Sequence, residues 1–182
     1  MKSVIEHYAN NTGNFLEVVK PGAFLDPDMI IVGDFGLSYD QQKMQLGMWA
    51  IFAAPLYMSN DLRHMDPASV KLLQNKLFIS INQDPMGKAG RLAFKDGDNV
   101  RIWVRYLSNG NFALAATYYG VQGTPIRLSK SMKDLSLSVP TSTAFRAVEV
   151  FDNIAIGTFK YTDQIPFYVN PTGINFFYFT SM

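Results

Sequence analysis

The sequence predicts two architectures in one chain: a piece of an α/β barrel, followed by an antiparallel β-sandwich. Three observations predict this. A continuous apolar run, Met29-Ile30-Ile31-Val32, leads through a capped helix to a second short run, Leu56-Tyr57-Met58. Strands apolar on both faces belong to parallel sheets, and polar residues at such strand ends are where α/β barrels place their binding groups. After Gly90 the hydrophobic period changes from helical to two. Beyond that point Gly, Pro and Asn separate short strands at short intervals, as in a sandwich. The boundary falls near residues 85–90, dividing the chain into 1–88 and 89–182.

The totals agree with this division. A length of 182 residues suits one large domain or two small ones. With 48% apolar and 17% charged residues, the chain can bury a core and is unlike a disordered one. The net charge is +1 with scattered basic residues, so there is no nucleic-acid footprint. Cysteine is absent, which excludes disulfides and thiolate metal sites. The apolar run Met48 to Met58 is broken by Pro55 and is too short to span a bilayer. Residues 1–20 carry Lys2, Glu6, His7, Asn10 and Asn11, and so do not read as a signal peptide.

In chain order, residues 1–9 are weakly helical, with Val4, Ile5 and Tyr8 about a turn apart. Asn10-Asn11-Thr12 is a glycosylation sequon that also reads as a turn. Pro21-Gly22 marks a turn before the first strand. Ser38 and Gln41 form a capping box. The helix that follows is expected to run to about Ala54, burying Met44, Met48, Ile51 and Phe52, and to stop at Pro55. Its Met and aromatic residues read as core. Asp66-Pro67 starts another helix carrying Val70, Leu73 and Leu77. In the second half Val100, Ile102, Val104 and Tyr106 alternate with Arg101, Trp103 and Arg105. Ser108-Asn109-Gly110-Asn111 is a hairpin turn leading to a partner strand over 112–119. Further strands are expected at 126–128, 145–150, 154–161, 166–169 and 174–179.

The residues that could carry chemistry cluster at Asp26-Pro27-Asp28-Met29. Two carboxylates at a strand end could hold sugar hydroxyls or a cation, or act as acid and base. Asp-Pro-Asp by itself is also a common turn. On a regular strand the two side chains share a face about 7 Å apart along the chain. Glycoside hydrolysis needs carboxylates about 5 to 9 Å apart on opposite sides of the bond. Distance permits a catalytic pair, but a shared wall argues against one. Asn60, Asp61 and Arg63 form a second polar cluster, read as a hydrogen-bonded corner. His7 and His64 are isolated surface residues without metal-ligand spacing. No nucleophile elbow, P-loop or dinucleotide fingerprint occurs.

Longer stretches carry a resemblance. Asp26-Pro27-Asp28-Met29-Ile30, Gly33-Asp34-Phe35-Gly36-Leu37-Ser38, Gln41-Gln42, Trp49-Ala50, Ala53-Ala54-Pro55-Leu56, Met58-Ser59-Asn60-Asp61-Leu62-Arg63, Ile81-Asn82-Gln83-Asp84-Pro85-Met86-Gly87 and Asn170-Pro171-Thr172-Gly173 together resemble the α-galactosidase / α-N-acetylgalactosaminidase family of the melibiase clan. The similarity runs the length of the chain and is densest over 21–90. It implies that 1–88 is the last part of a (β/α)8 TIM barrel and 89–182 the C-terminal β domain. It implies retaining hydrolysis of terminal α-galactosides or α-N-acetylgalactosaminides, with no cofactor or metal. Lysosomal or secreted localisation and a possible homodimer are further implications. By resemblance Asp28 binds substrate hydroxyls, Met29 lines the sugar pocket and Asp26 is a supporting carboxylate. The family's nucleophile sits in a Lys-Tyr-Asp motif and its acid/base Asp on an upstream segment. Neither motif occurs here, so no catalytic residue is expected in this chain. The alternative is an inactive truncated product or pseudoenzyme with at most a sugar- or partner-binding role. Before Asp26 the family carries Trp-Asn, whereas this chain has Phe24 and Leu25, which keeps an aromatic wall but loses an amide. Two strands cannot close a barrel, so exposed strand edges and apolar faces are expected.

Overall fold

A computed structural model describes residues 2–8, 18–34 and 36–182. The sequon at Asn10 lies outside them. The first half has helix α1 over residues 2–8, α2 over Tyr39–Ile51, α3 over Pro67–Leu73 and α4 over Lys76–Asn82. The second half has strands β1 (Arg91–Asp96), β2 (Val100–Tyr106), β3 (Phe112–Tyr118), β4 (Ile126–Lys130), β5 (Phe145–Glu149), β6 (Ile154–Phe159), β7 (Ile165–Val169) and β8 (Gly173–Ser181).

The capping box forms as read. Ser38 Oγ accepts from the Gln41 N–H at 3.2 Å, and Gln41 Oε1 accepts from the Ser38 N–H at 3.0 Å. The helix ends at Ile51, earlier than expected. Ala54 precedes Pro55 and is steered away from helical dihedrals. The chain turns out through Ala53 at φ +54°. Ala53 N–H then reaches Ala50 O, and Ala54 N–H reaches Trp49 O at 3.0 Å. This is a Schellman ending with alanine in the position glycine usually takes.

The helix expected after Pro67 is two helices. Asn75 interrupts it because its side chain caps α4, accepting from the Phe78 N–H at 2.8 Å. The same amide donates to Val150 O and Phe151 O, fastening the helix pair to the second half.

The second half is a six-stranded antiparallel sheet, ordered β1-β2-β3-β8-β5-β6, faced by the pair β4-β7. The expected strands all form, and β1 is an additional one. The hairpin after β2 closes through Leu107 N–H to Asn111 O at 2.9 Å, with Asn109 and Gly110 both at positive φ.

Alternation along the central strands feeds two cores. Ile102, Val104, Phe112, Leu114, Phe177 and Phe179 face β4-β7. Trp103, Ala113, Ala115, Ile174 and Phe176 face the helices, where Met48, Trp49, Ile51 and Phe52 meet them. A single core therefore crosses residue 88. Arg105 sits in it, fully buried, and donates to Ala50 O and to Asn82 O near the C-terminal ends of α2 and α4. A cation there meets the negative helix ends. Burial pulls its guanidinium down to about 10, opposed by the charge of Asp84. Gly90 lets the chain pass: a Cβ on it would lie 2.6 Å from Val104 O.

Candidate functional site

Among the described residues, the barrel piece contributes one parallel contact, the bridge between Ile30 and Met58. Ile30 N–H donates to Tyr57 O at 2.6 Å, and Ser59 N–H to Ile30 O at 3.1 Å. These pairings leave the groups of Met29 and Ile31 facing the other way, where a further strand would pair. The Gln45 side chain takes them instead. Its Oε1 accepts from Ile31 N–H at 3.0 Å, and its Nε2 donates to Met29 O at 3.1 Å. The edge expected to be open is thus closed locally by a buried amide from α2.

Just ahead of the bridge, the Asp-Pro-Asp segment is a turn and not strand. Asp28 adopts φ +82°. Asp26 Oδ1 accepts from the Asp28 N–H at 3.0 Å, and Asp28 Oδ1 accepts from the Met29 N–H at 2.7 Å. The shared-face geometry assumed for a regular strand does not hold, because aspartate side chains compete for nearby backbone N–H groups. Each carboxylate spends one oxygen on the turn. Among the described residues, the Oδ2 atoms make no hydrogen bond. Trp49 holds the turn from below, its indole N–H donating to Asp28 O at 3.0 Å.

Asp28 and Met29 line a recess of about 280 Å³ with Pro27, Ile31, Leu37, Trp49 and Ser59. Met29 is 51% exposed and Phe24 45%. Asp26 lies close enough to Tyr8 to raise that phenol further, after burial, the larger cause. Leu25, where the resembled family has an amide, packs against the core and makes no polar contact there. The structure therefore brings Asp26, Asp28 and Met29 together in one turn. Gln45 and Trp49 position it. Their signal in the sequence was a polar residue and an indole inside the otherwise apolar stretch 44–52 of that helix and its cap.

The second polar cluster is the corner expected of it. Arg63 donates to Asp61 through Nε at 2.9 Å and a terminal nitrogen at 2.7 Å. That contact holds the exposed Asp61 carboxyl below its ordinary value. Asn60 Nδ2 donates to Val32 O. Among the described residues, no group of three or more His, Asp or Glu could hold a metal ion. No described helix is long and apolar enough to cross a membrane.

Comparison with known proteins gives the family and the fold. Residues 1–84 match the family model for alpha galactosidase A, and residues 87–173 match the model for its C-terminal beta sandwich domain. The chain belongs to the melibiase family. This melibiase chain is 38% identical to human alpha-galactosidase A over 95% of its own length and 40% of that protein. It is 36% identical to chicken alpha-N-acetylgalactosaminidase, over 97% of the chain and 43% of that enzyme. The chain thus spans less than half the length of these relatives. In fold it matches the alpha-galactosidase of Saccharomyces cerevisiae solved with raffinose, with a TM-score of 0.85 at 15% identity, covering 98% of this chain and 51% of that one. The architecture is that of a TIM-barrel tail joined to a β-sandwich domain.

Proposed function

We propose that this chain is the C-terminal portion of a retaining glycoside hydrolase acting on terminal α-galactosides or α-N-acetylgalactosaminides, and that residues 26–29 form one wall of its sugar pocket. The observation that carries this reading is the turn itself. Asp28 lines a recess and its Oδ2 makes no hydrogen bond among the described residues, and the neighbouring Met29 is exposed. A sugar hydroxyl donates to Asp28 Oδ2 while the Met29 side chain covers the apolar face of the ring. Asp26 supports the turn through the Asp28 N–H.

Bond cleavage with retention needs a nucleophile and an acid/base carboxylate. Both aspartates here are bound into one turn and serve neither role. Residues 1–88 supply the end of the barrel and 89–182 the β domain. The family also suggests a lysosomal or secreted protein, capable of forming a homodimer, that works without a cofactor.

The second reading is an inactive truncated product or pseudoenzyme. It is supported by the exposure of Phe24, Met29, Ile31, Tyr57, Met58 and Leu62, all on the barrel piece. An incomplete barrel leaves such a face uncovered.

The binding wall is tested by titrating the chain with methyl α-D-galactopyranoside and following backbone amide resonances. Shifts at Asp28 and Met29 that vanish in Asp28→Asn support the reading. Undiminished shifts in Asp28→Asn contradict it.

A further inference from the structure

A second recess, larger than the one beside Asp28, lies away from that turn. A cleft of about 610 Å³ opens between β4-β7 and the β5-β6 end of the long sheet. Its existence follows from strand counts. Strands lie about 4.8 Å apart, so a pair cannot cover a sheet of six. Leu128, Ile156, Phe167 and Phe177 form its apolar lining. Phe167 and Phe177 stack at 5.4 Å, which stiffens it. Tyr168 stands at the mouth, 51% exposed, with the Arg127 guanidinium 5.2 Å from its ring centre.

The polar groups at this cleft are few and of mixed kind. Glu149 uses Oε2 to accept from the Asp152 N–H at 2.7 Å. Asn175 Oδ1 accepts from the Tyr168 N–H at 2.6 Å, leaving its NH2 group as donor. Arg127 adds further donors and Ser129 a hydroxyl.

These features discriminate among occupants. An added β-strand is disfavoured. The outward edge of β7 offers Pro166, which has no N–H, and Tyr168, whose N–H is already taken by Asn175. A purely apolar ligand would strip water from Glu149 and Arg127 without replacing its hydrogen bonds. A ligand of either charge meets one like charge, since the two residues oppose each other in sign. What remains is a neutral molecule with an apolar face and both donors and acceptors at its edge. A few polar groups in a mostly apolar recess are the usual make-up of a small-molecule site.

We propose that this cleft binds a neutral sugar ring of a glycan, at a site separate from residues 26–29. The ring's C–H face lies on the Tyr168 and Ile156 side chains. Its hydroxyls donate to Glu149 and accept from Asn175 and Arg127. The proposal is independent of the reading given to Asp28.

The test is a titration of the whole chain with methyl α-D-galactopyranoside, and separately with methyl α-D-glucopyranoside, observed by amide and aromatic NMR signals. Either sugar is expected to shift Tyr168, Asn175 and Ile156. Tyr168→Ala and Glu149→Gln are each expected to weaken that binding by about tenfold, at unchanged fold, as judged by the rest of the spectrum. Asp28→Asn is expected to leave it intact. Tyr168 is exposed, so loss of folding is not expected to confuse the result. The proposal is overturned if neither sugar shifts the cleft, if Asp28→Asn abolishes the shifts, or if the cleft signals move with protein concentration alone, which would mark a contact between two copies.

Discussion

The indole N–H of Trp49 donates to the main-chain carbonyl of Asp28 across 3.0 Å, from the middle of α2 to the turn that carries the candidate sugar ligand. One helical turn earlier, Gln45 closes both neighbouring backbone groups, Met29 O and Ile31 N–H. The helix therefore does for this turn what an adjacent strand does elsewhere.

Removing either side chain exposes that dependence. Trp49→Phe keeps a ring in the core and leaves Asp28 O without its donor. Gln45→Leu leaves the part-buried Ile31 N–H and Met29 O without their partner. Each is expected to cost about 1 to 3 kcal/mol in urea unfolding. Each is also expected to move the Met29 amide resonance. A substitution that left both unchanged would show that α2 does not hold the turn.

The junction between the halves gives a second prediction. A methyl group at Gly90 would lie 2.6 Å from Val104 O and 2.9 Å from Ile51 Cγ2. Backbone oxygen cannot swing aside, and Gly90 N–H is itself bound to Ile51 O at 2.7 Å. Gly90→Ala is expected to destabilise by about 3 kcal/mol, at the upper end of overpacking costs. Gly123→Ala, with nothing within 4 Å of the new methyl, is the control and should be near neutral.

A third prediction concerns pH. Burial, its main cause, pushes the Glu149 carboxyl above its ordinary value of 4.5, with the charge of Asp152 adding and Lys43 and the Asp152 N–H opposing. The folded chain then holds this proton more tightly than the unfolded one. The stability this group contributes is complete below pH 4.5 and is lost as pH rises through the folded value. Glu149→Gln fixes the neutral form and keeps an acceptor for the Asp152 N–H. It is expected to raise the melting temperature at pH 7 and to make little difference well below pH 4.5. A variant less stable at pH 7 contradicts the assigned direction.

Much of the fold was legible because local chemistry and tertiary structure agree. The Ser38 capping box, the Asn109-Gly110 turn and the period-two run from Val100 to Tyr106 each specify their own geometry. The misread places are those where distant partners decide, or where a nearby proline or capping side chain overrides the regular period. Asn75 splits a helix because Val150 and Phe151 offer carbonyls 75 and 76 residues away. The helix expected to reach Ala54 stops earlier, since the influence of Pro55 extends back past its immediate neighbour. At the candidate site, Asp26, Asp28 and Met29 were singled out by motif. Their turn conformation was not, because two aspartates beside a proline satisfy backbone N–H groups better in a turn than in a strand. The roles of Gln45 and Trp49 depend on contacts 14 to 21 residues apart in sequence, which spacing alone does not reveal.

We propose that this chain holds a wall of a glycosidase pocket but none of its bond-breaking carboxylates. The most direct measurement is hydrolysis of a chromogenic α-galactoside by the purified 182-residue chain. The account predicts release of chromophore no faster than in a protein-free blank. Turnover above the blank that disappears in Asp28→Asn would contradict it, by placing catalysis in the turn where only binding is expected.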